Sequence, residues 1–261
     1  MIKQLLTPSR VVPKRMSLRT ILFWTVLFIG LFEIFHSTII PPPSRIVTSL
    51  YNLINSQGFY DDLIASMATT LKAMFYSILF TVVIVYASTI QLFKPLAEFV
   101  SKCRYLTLTG LVFVFTVLIG KSGGSLGDLK MALLMFGIIP FFVTSFLSIV
   151  QATAPEEKWK GYVNGLSRWE TLYEVVIIGK LDMLFEVMRQ NFAISWMMIT
   201  MVEGFAMSEG GIGTLLIKSN KYLDLSPVFA MLIIILVLGL IFDFALSYLR
   251  NILFPYIQTS K

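Results

Sequence analysis

The sequence contains little charge. Asp, Glu, Lys and Arg make up 14% of its 261 residues, whereas an ordinary soluble domain carries about 25%. Hydrophobic residues account for 56% of the chain, and the mean hydropathy is +0.80. A soluble protein of this length would need more polar side chains to cover its surface. The scarcity of charge therefore excludes a water-soluble globular protein and predicts one that lies in a lipid bilayer.

Cysteine and histidine are almost absent, with one residue of each, Cys103 and His36. A single cysteine excludes an internal disulfide, and no second His or Cys stands near His36 to complete a metal site. The chain has no Gly-x-x-x-x-Gly-Lys-Ser/Thr loop to hold nucleotide phosphates. An intramembrane hydrolase would need a Ser, His or paired-Asp group at membrane depth, and the sequence offers one His near a span boundary. We therefore expect no catalytic residue, no metal and no cofactor.

What the sequence does have is long apolar runs separated by charged segments. A helix of about 20 apolar residues crosses the hydrocarbon core, because in a helix each backbone N–H is paired within its own segment. The runs lack the alternation of barrel strands. We predict an all-α, polytopic transmembrane bundle that forms a single domain over residues 1–261. The six predicted spans lie near 21–40, 71–93, 106–120, 131–152, 190–208 and 227–249.

The basic residues predict the orientation of these spans. With the N-terminus inside, the cytoplasmic segments hold 15 of the 21 Lys and Arg residues. Because basic residues are retained on the cytoplasmic side, both termini should be cytoplasmic, and residues 1–19 should form a cytoplasmic N-terminal segment. The net charge of +6 is spread between the spans rather than gathered in one patch. This distribution predicts no nucleic-acid partner.

One predicted cytoplasmic segment, residues 153–189, is long enough to have a function of its own. The pair Thr153 and Glu156 fits a capping box and predicts that a helix begins there. Gly161 and Gly165 should interrupt this helix. Such an amphipathic helix could dock in the groove of a partner or lie on the membrane surface. Its apolar positions recur at helical spacing: Trp159, Tyr162, Val163, Leu166, Trp169, Leu172, Tyr173 and Val176.

Residues 165–178, GLSRWETLYEVVII, resemble the conserved cytoplasmic loop of ABC importer permeases, known as the EAA loop. Downstream, Glu203 in an apolar run and the glycine-rich sequence EGGIG at 209–213 resemble the nitrate, sulfonate and taurine branch of these permeases. The Pro-Ser pair at 43–44 resembles a further element of that branch. In order along the chain, the resemblance covers about residues 24–250.

The sequence departs from the family pattern at three places. Residues 159–161 read WKG where Glu-Ala-Ala is usual, Ile178 stands where proline is usual, and residues 104–107 lack the proline expected near the third span. These departures are compatible with a diverged subunit that pairs with a non-identical permease.

The resemblance implies a type I ABC importer permease in the bacterial inner membrane, forming the solute pathway. It implies three protein partners: a cytoplasmic ABC ATPase dimer, an external solute-binding protein and a second permease subunit, identical or diverged. The substrate would be a small anion or small organic solute of the nitrate, sulfonate, taurine or bicarbonate type. ATP hydrolysis would reside in the partner, so this chain would not be an enzyme. The alternative is an ATPase-independent secondary carrier, but such carriers usually show two similar halves, which we do not find.

The resemblance and the helical pattern together give the candidate site residues. Glu203 is a candidate for the translocation pathway or for helix packing, because a carboxylate in an apolar span must face protein or water. A position shallow enough for solvation is the alternative. The residues expected to couple to the ATPase are Trp159, Tyr162, Val163, Gly165, Leu166, Arg168 and Trp169.

Overall fold

A computed structural model describes residues 14–34, 41–206, 210–222 and 224–255. The rest of the predicted N-terminal segment, His36 and the last six residues lie outside the described residues. All regular elements of the described part are helical, which confirms the all-α class. The α-helices are α1 (Lys14–Ile34), α2 (Pro43–Ile54), α3 (Phe59–Ala87), α4 (Lys94–Lys102), α5 (Leu108–Ser122), α6 (Leu126–Ala152), α7 (Pro155–Val163), α8 (Arg168–Thr171), α9 (Leu181–Phe205), α10 (Ile212–Lys221) and α11 (Leu225–Leu253).

Three described helices, α3, α6 and α11, are long and apolar enough to cross a membrane. The short helices on either side of residues 106–107 form a bent pair, with an angle of 112° between Lys94–Tyr105 and Leu108–Ser122. If this pair is one broken span, the count of such segments rises to four. The predicted total of six spans therefore stays a prediction, because α1 and α9 do not meet this criterion within the described residues.

Two helices begin well before the predicted spans. Helix α3 begins at Phe59 rather than near residue 71, and α9 begins at Leu181 rather than near residue 190. A prediction based on apolar runs leaves out the polar residues of the first helical turns. These residues are nevertheless helical, so each helix begins earlier than its apolar run. Asp61 and Asp62 lie in the first turn of α3, where acidic groups favour the positive end of the helix dipole.

The core is built where α6 packs between α3 and α9. Small side chains on one face of α3 let the two helix backbones approach closely, a common arrangement between membrane helices. These α3 residues are fully buried: Ser66, Thr70, Ala73, Ser77 and Thr81. The facing side chains of α6 include Leu133, Leu134, Ile138, Phe142 and Val143.

Helices α9 and α11 are joined by an aromatic contact and by ion pairs. The indole N–H of Trp196 donates to the Ile235 carbonyl at 3.0 Å. Nearer the start of α9, Arg189 pairs with Glu186 at 2.6 Å and also with Asp243 of α11. Arg250 of α11 pairs with the same Glu186 at 2.8 Å. Because these charges lie on two helices, the cluster fixes the rotation of α11 against α9.

Candidate functional site

Two regions at opposite ends of the bundle carry the candidate residues. The 153–180 loop joins the end of α6 to the start of α9. The glycine turn, residues 210–213, follows the end of α9 and lies beside the first turns of α3 and α6. Since consecutive spans run in opposite directions, the loop and the glycine turn mark the two faces of the bundle.

The capping box predicted at Thr153 is wrong. The Thr153 hydroxyl donates to the Ile149 carbonyl at 3.1 Å in the preceding helix, and Ala154 rather than Thr153 occupies the N-cap position of α7. Helix α7 begins at Pro155 without a side-chain cap. Proline has no backbone N–H, so a helix that begins with Pro155 has one fewer N–H group that needs an acceptor. The fixed φ of proline also suits the first helical turn.

A capping box does occur 14 residues further on, at Ser167 and Glu170. The Glu170 N–H donates to the Ser167 hydroxyl at 3.3 Å, and the Ser167 N–H donates to the Glu170 carboxylate at 2.7 Å. The backbone donor, with a smaller contribution from the Ser167 hydroxyl, holds the pKa of Glu170 below its ordinary value. This box begins the second helical piece of the loop, α8.

Two of the three glycines in the loop, Gly161 and Gly165, have different roles. Gly165 adopts φ +81° and ends α7 in a Schellman motif, in which the Leu166 N–H donates to the Gly161 carbonyl at 3.1 Å. Gly161 does not interrupt the helix, contrary to the sequence prediction. A Cβ atom on Gly161 would lie 2.8 Å from the Thr171 methyl. Gly161 therefore allows α7 and α8 to pack closely as a helical hairpin.

The predicted coupling residues fall into two groups. Trp159, Tyr162 and Val163 lie together on α7 with 67%, 42% and 81% of their surface exposed, and the two rings meet edge to face at 6.4 Å. Trp169 lies on the other helical piece, where its ring faces Tyr86 of α3 at 5.9 Å. Part of the apolar face predicted for the loop thus faces solvent, and Trp169 contacts the bundle through one ring while 52% of its surface stays exposed.

The remaining predicted residues lie around the turn between the helical pieces. Leu166 is half-buried, and Gly165 and Arg168 are exposed. The base of the hairpin is held by an ion pair between Glu157 and Lys180 at 2.8 Å. Between the hairpin and the chain that leads into α9 lies a polar cavity of about 400 Å³. This part of the loop is therefore fixed at its base and open on its outer side.

At the other end of the bundle, Glu203 is buried with 2% of its surface exposed. One carboxylate oxygen accepts a hydrogen bond from the Ser66 hydroxyl at 2.6 Å. The other accepts from the Gly213 N–H at 2.9 Å. The Glu203 carboxylate thereby joins three elements, α9, α3 and the start of α10.

The glycine turn has further partners on the neighbouring helices. Asp62 of α3 accepts from the Gly211 N–H at 2.8 Å, and Lys130 of α6 donates to the Gly210 carbonyl at 3.2 Å. Gly210 and Gly211 have φ values of +72° and +108°, a region that glycine occupies without strain. The buried polar groups of this turn are thus paired with side chains from two helices.

The glycines also remove steric conflicts. A Cβ atom on Gly211 would lie 2.4 Å from the Glu203 carboxyl carbon. A Cβ atom on Gly213 would lie 2.1 Å from the Thr200 carbonyl oxygen. The sequence pattern found Glu203 and the glycines, but it missed Asp62, Ser66 and Lys130. Ser66 and Glu203 are 137 residues apart, and no pattern in a single sequence links positions so distant.

Residues 45–252 match the family described as "Binding-protein-dependent transport system inner membrane component". The chain belongs to this family. It is therefore an ABC importer permease subunit in a membrane, and it is not itself an enzyme. Permeases of this family work in general with an ATPase and a solute-binding protein. The family match confirms three sequence predictions: the family, the importer class and a subunit that is not an enzyme.

One relative and two solved structures are similar to this permease. The Taurine transport system permease protein TauC of Escherichia coli (strain K12) is 22% identical over 251 residues, which cover 90% of this chain and 85% of TauC. An amino acid ABC transporter crystallised with histidines has a TM-score of 0.64 at 17% identity, covering 78% of this chain and 96% of its own. A bacterial ABC transporter involved in the import of the acidic polysaccharide alginate has a TM-score of 0.59 at 13% identity, covering 91% and 94%. The two structures support the fold alone.

Proposed function

We propose that this permease subunit imports a small sulfonate or related oxyanion and is driven by a cytoplasmic ATPase that docks on the 153–180 loop. The observation that carries the docking is the exposure of apolar side chains on α7, a helix whose base is fixed to the bundle. The substrate class is supported by the similarity to a taurine permease. The branch-like sequence around Glu203 supports the same class.

The physical basis of the docking is the surface that α7 leaves uncovered. An isolated nine-residue helix is only marginally stable in water. Here its position is fixed by the Gly161 contact with Thr171 and the ion pair of Glu157 with Lys180. A preorganised helix that presents Trp159 and Val163 fits the helix-in-groove mode of recognition. Arg168 would lie at the rim of this interface, where a charge affects register more than affinity.

The orientation follows from the docking. If the 153–180 loop is cytoplasmic, the ends of α3 and α6 are cytoplasmic and the glycine turn is external. The excess of basic residues in the loop-side segments supports this orientation and cytoplasmic termini. A reporter enzyme fused after Lys261 tests it: activity confined to the cytoplasm is expected, and activity only on the outer side would contradict it.

The exposed faces of the bundle support a second permease subunit and surrounding lipid. Only 11% of the most apolar window of α11 is buried within this chain. We propose a pair of permease subunits, identical or diverged, with one ATPase dimer inside and one solute-binding protein outside. We propose that Glu203 has a structural role in the translocation pathway. Its carboxylate would hold the glycine turn in place at the outer end of the helix bundle.

Substitution of Val163 tests the docking. Val163→Arg places a charge in the centre of the proposed interface, and Val163→Leu keeps an apolar side chain as the matched control. We expect Val163→Arg to abolish co-purification of the ATPase and ATP-dependent uptake of radiolabelled taurine, with normal amounts of permease in the membrane. Val163→Leu should retain both. Full ATPase binding and uptake by Val163→Arg would overturn the docking assignment.

A further inference from the structure

A partly open cavity of about 290 Å³ lies at the bend between α4 and α5, where the start of α5 meets the middle of α6 and α9. Its lining includes Arg104, Thr107, Gly137 and Met198. We propose that this cavity is a membrane-embedded binding site for the oxyanion group of the transported solute, with Arg104 as the cation that recognises it. The inference rests on the proposed function and assigns the recognition of that substrate class to a place within the permease.

The cavity lies near the middle of the length of α6, one of the helices long and apolar enough to cross a membrane. Helix α6 has 27 residues and is therefore about 40 Å long, and Gly137 lies close to its midpoint. A Cβ atom on Gly137 would be 3.3 Å from the Leu108 methyl groups, so α5 begins at this level. On the other side of the break, the hydroxyls of Ser101 and Thr144 are 2.7 Å apart. The junction between α4 and α5 thus lies against the central part of α6.

Arg104 is the charged group of this cavity. Its guanidinium donates to the Tyr105 hydroxyl at 3.0 Å and lies 5.0 Å from the centre of the same ring. Among the ion pairs of the described residues, none provides Arg104 with a carboxylate. A cation at such depth is costly unless it faces protein partners, water or a counter-charge. An anionic ligand would supply that charge.

The break in the helix adds neutral donors to the same cavity. Helix α5 begins at Leu108 with Thr107 as its N-cap residue, and the Thr107 side chain makes no capping hydrogen bond. The first N–H groups of a helix need an acceptor from outside the helix. Interrupted membrane helices use such starts to bind anionic groups of substrates. The Thr107 and Thr109 hydroxyls also line the cavity and can donate to the same anion.

The only cysteine of the chain provides a direct probe, because Cys103 lines this cavity. The full-length tagged chain, in native membrane vesicles with its partner subunits, is treated with one of two methanethiosulfonates of similar size. One carries a sulfonatoethyl group and the other a trimethylammonioethyl group. After normalisation to a free thiol in solution, we expect Cys103 to react about tenfold faster with the sulfonate reagent, because Arg104 attracts it. Millimolar taurine should slow that reaction.

The variants isolate the contribution of Arg104. Arg104→Gln should abolish the preference for the sulfonate reagent, and Arg104→Lys should retain part of it. Lys102→Gln is the matched control, since it removes an equal charge equally close to Cys103 in the chain from a residue outside the cavity lining. Equal normalised rates for the two reagents in the unaltered chain, or the same loss in both Gln variants, would overturn the site.

An uptake measurement separates this inference from the proposed function. With the unaltered complex, ATP-dependent uptake of radiolabelled taurine is expected, and Arg104→Gln should lower it about tenfold or more while the ATPase stays bound. If the unaltered complex carries no taurine, the proposed substrate is wrong, and the reagent preference at Cys103 still decides whether the cavity binds oxyanions. Full taurine uptake by Arg104→Gln would overturn the role of Arg104.

Discussion

The glycine turn and the 153–180 loop differ in how many of their side chains are buried and paired within this chain. At the turn, Glu203 is 2% exposed and accepts hydrogen bonds from Ser66 and from the Gly213 N–H. At the loop, Trp159 and Val163 are 67% and 81% exposed, with apolar surface uncovered. The Glu203 carboxylate is thus paired within this chain, whereas the apolar side chains on the outer side of α7 are exposed.

This contrast separates two kinds of mutational effect. Substitutions at the turn should lower the stability of the permease itself, because they leave buried groups unpaired or overlapping. Substitutions on the exposed side of the loop should weaken partner binding with little effect on stability, because those side chains contact solvent in the isolated chain. Four experiments, each with its own variants, test this separation.

The largest effect is expected for Gly213→Val. A Cβ atom would lie 2.1 Å from the Thr200 carbonyl oxygen, and backbone cannot move aside as easily as a flexible side chain. We expect a loss of about 3 kcal/mol or more, measured by thermal unfolding of the detergent-purified protein. Gly120→Ala is the control, since no atom lies within 4 Å of its added methyl group. Equal melting temperatures for both variants would contradict the close approach at Gly213.

Removal of the Glu203 carboxylate should have the next largest effect. Glu203→Leu leaves the Gly213 N–H without its acceptor and leaves the Ser66 hydroxyl with the Asp62 carbonyl alone, at a cost of about 1–3 kcal/mol. Glu203→Gln keeps one acceptor oxygen and should lose less. The measurement is again thermal unfolding, together with taurine uptake. A Glu203→Leu protein as stable and active as the unaltered one would show that this carboxylate is dispensable.

Removal of the proposed docking side chains should give a loss of binding without a loss of stability. Tyr162→Ala combined with Val163→Ala truncates two of the predicted coupling residues, both of which are exposed. For an interface hot spot, this costs about 2 kcal/mol, or about thirtyfold in ATPase affinity, measured by titration of purified ATPase onto the permease in nanodiscs. Unchanged affinity, or a melting temperature as low as that of Gly213→Val, would remove the distinction between the two regions.

The smallest effect tests the division within the loop. Trp169→Ala should lower stability by about 1 kcal/mol, because the Trp169 ring packs on Tyr86. Trp159→Ala removes the same side chain from the solvent-facing side and should leave thermal unfolding unchanged while it weakens ATPase binding. If the two variants unfold alike, the contact with Tyr86 contributes no stability.

Composition and local spacing predicted the helical class and the place of the loop along the chain, whereas the family was predicted from the resemblance of residues 165–178 and 209–213 to ABC importer permeases. They failed where helices continue past the apolar window, as at Phe59 and Leu181. They also assigned a cap to Thr153, although the N-cap position of α7 is Ala154 and has no side-chain cap. A local motif of the right residue types does not establish the residue at which the helix begins.

The partners of Glu203 were beyond sequence reasoning for a different reason. A buried carboxylate predicts that donors exist, but not that they are Ser66 and the Gly213 N–H. Likewise, Arg104 counted as a cytoplasmic charge in the positive-inside prediction, whereas the bend of 112° between α4 and α5 places it on the wall of a partly open cavity beside α6 and α9. Periodicity describes one helix at a time, and both findings depend on how several helices meet.

The position of Glu203 also bears on the order in which the chain enters the membrane during synthesis. Helix α9 is long enough to cross a bilayer but does not meet the hydropathy criterion that α3, α6 and α11 meet, so we expect its insertion to depend on the helices that precede it. Ser66 on α3 pairs with Glu203, and Lys130 on α6 pairs with the adjoining turn; both are synthesised earlier. We therefore expect α9 to insert against α3 and α6, which already offer its carboxylate a polar surface when it emerges from the ribosome.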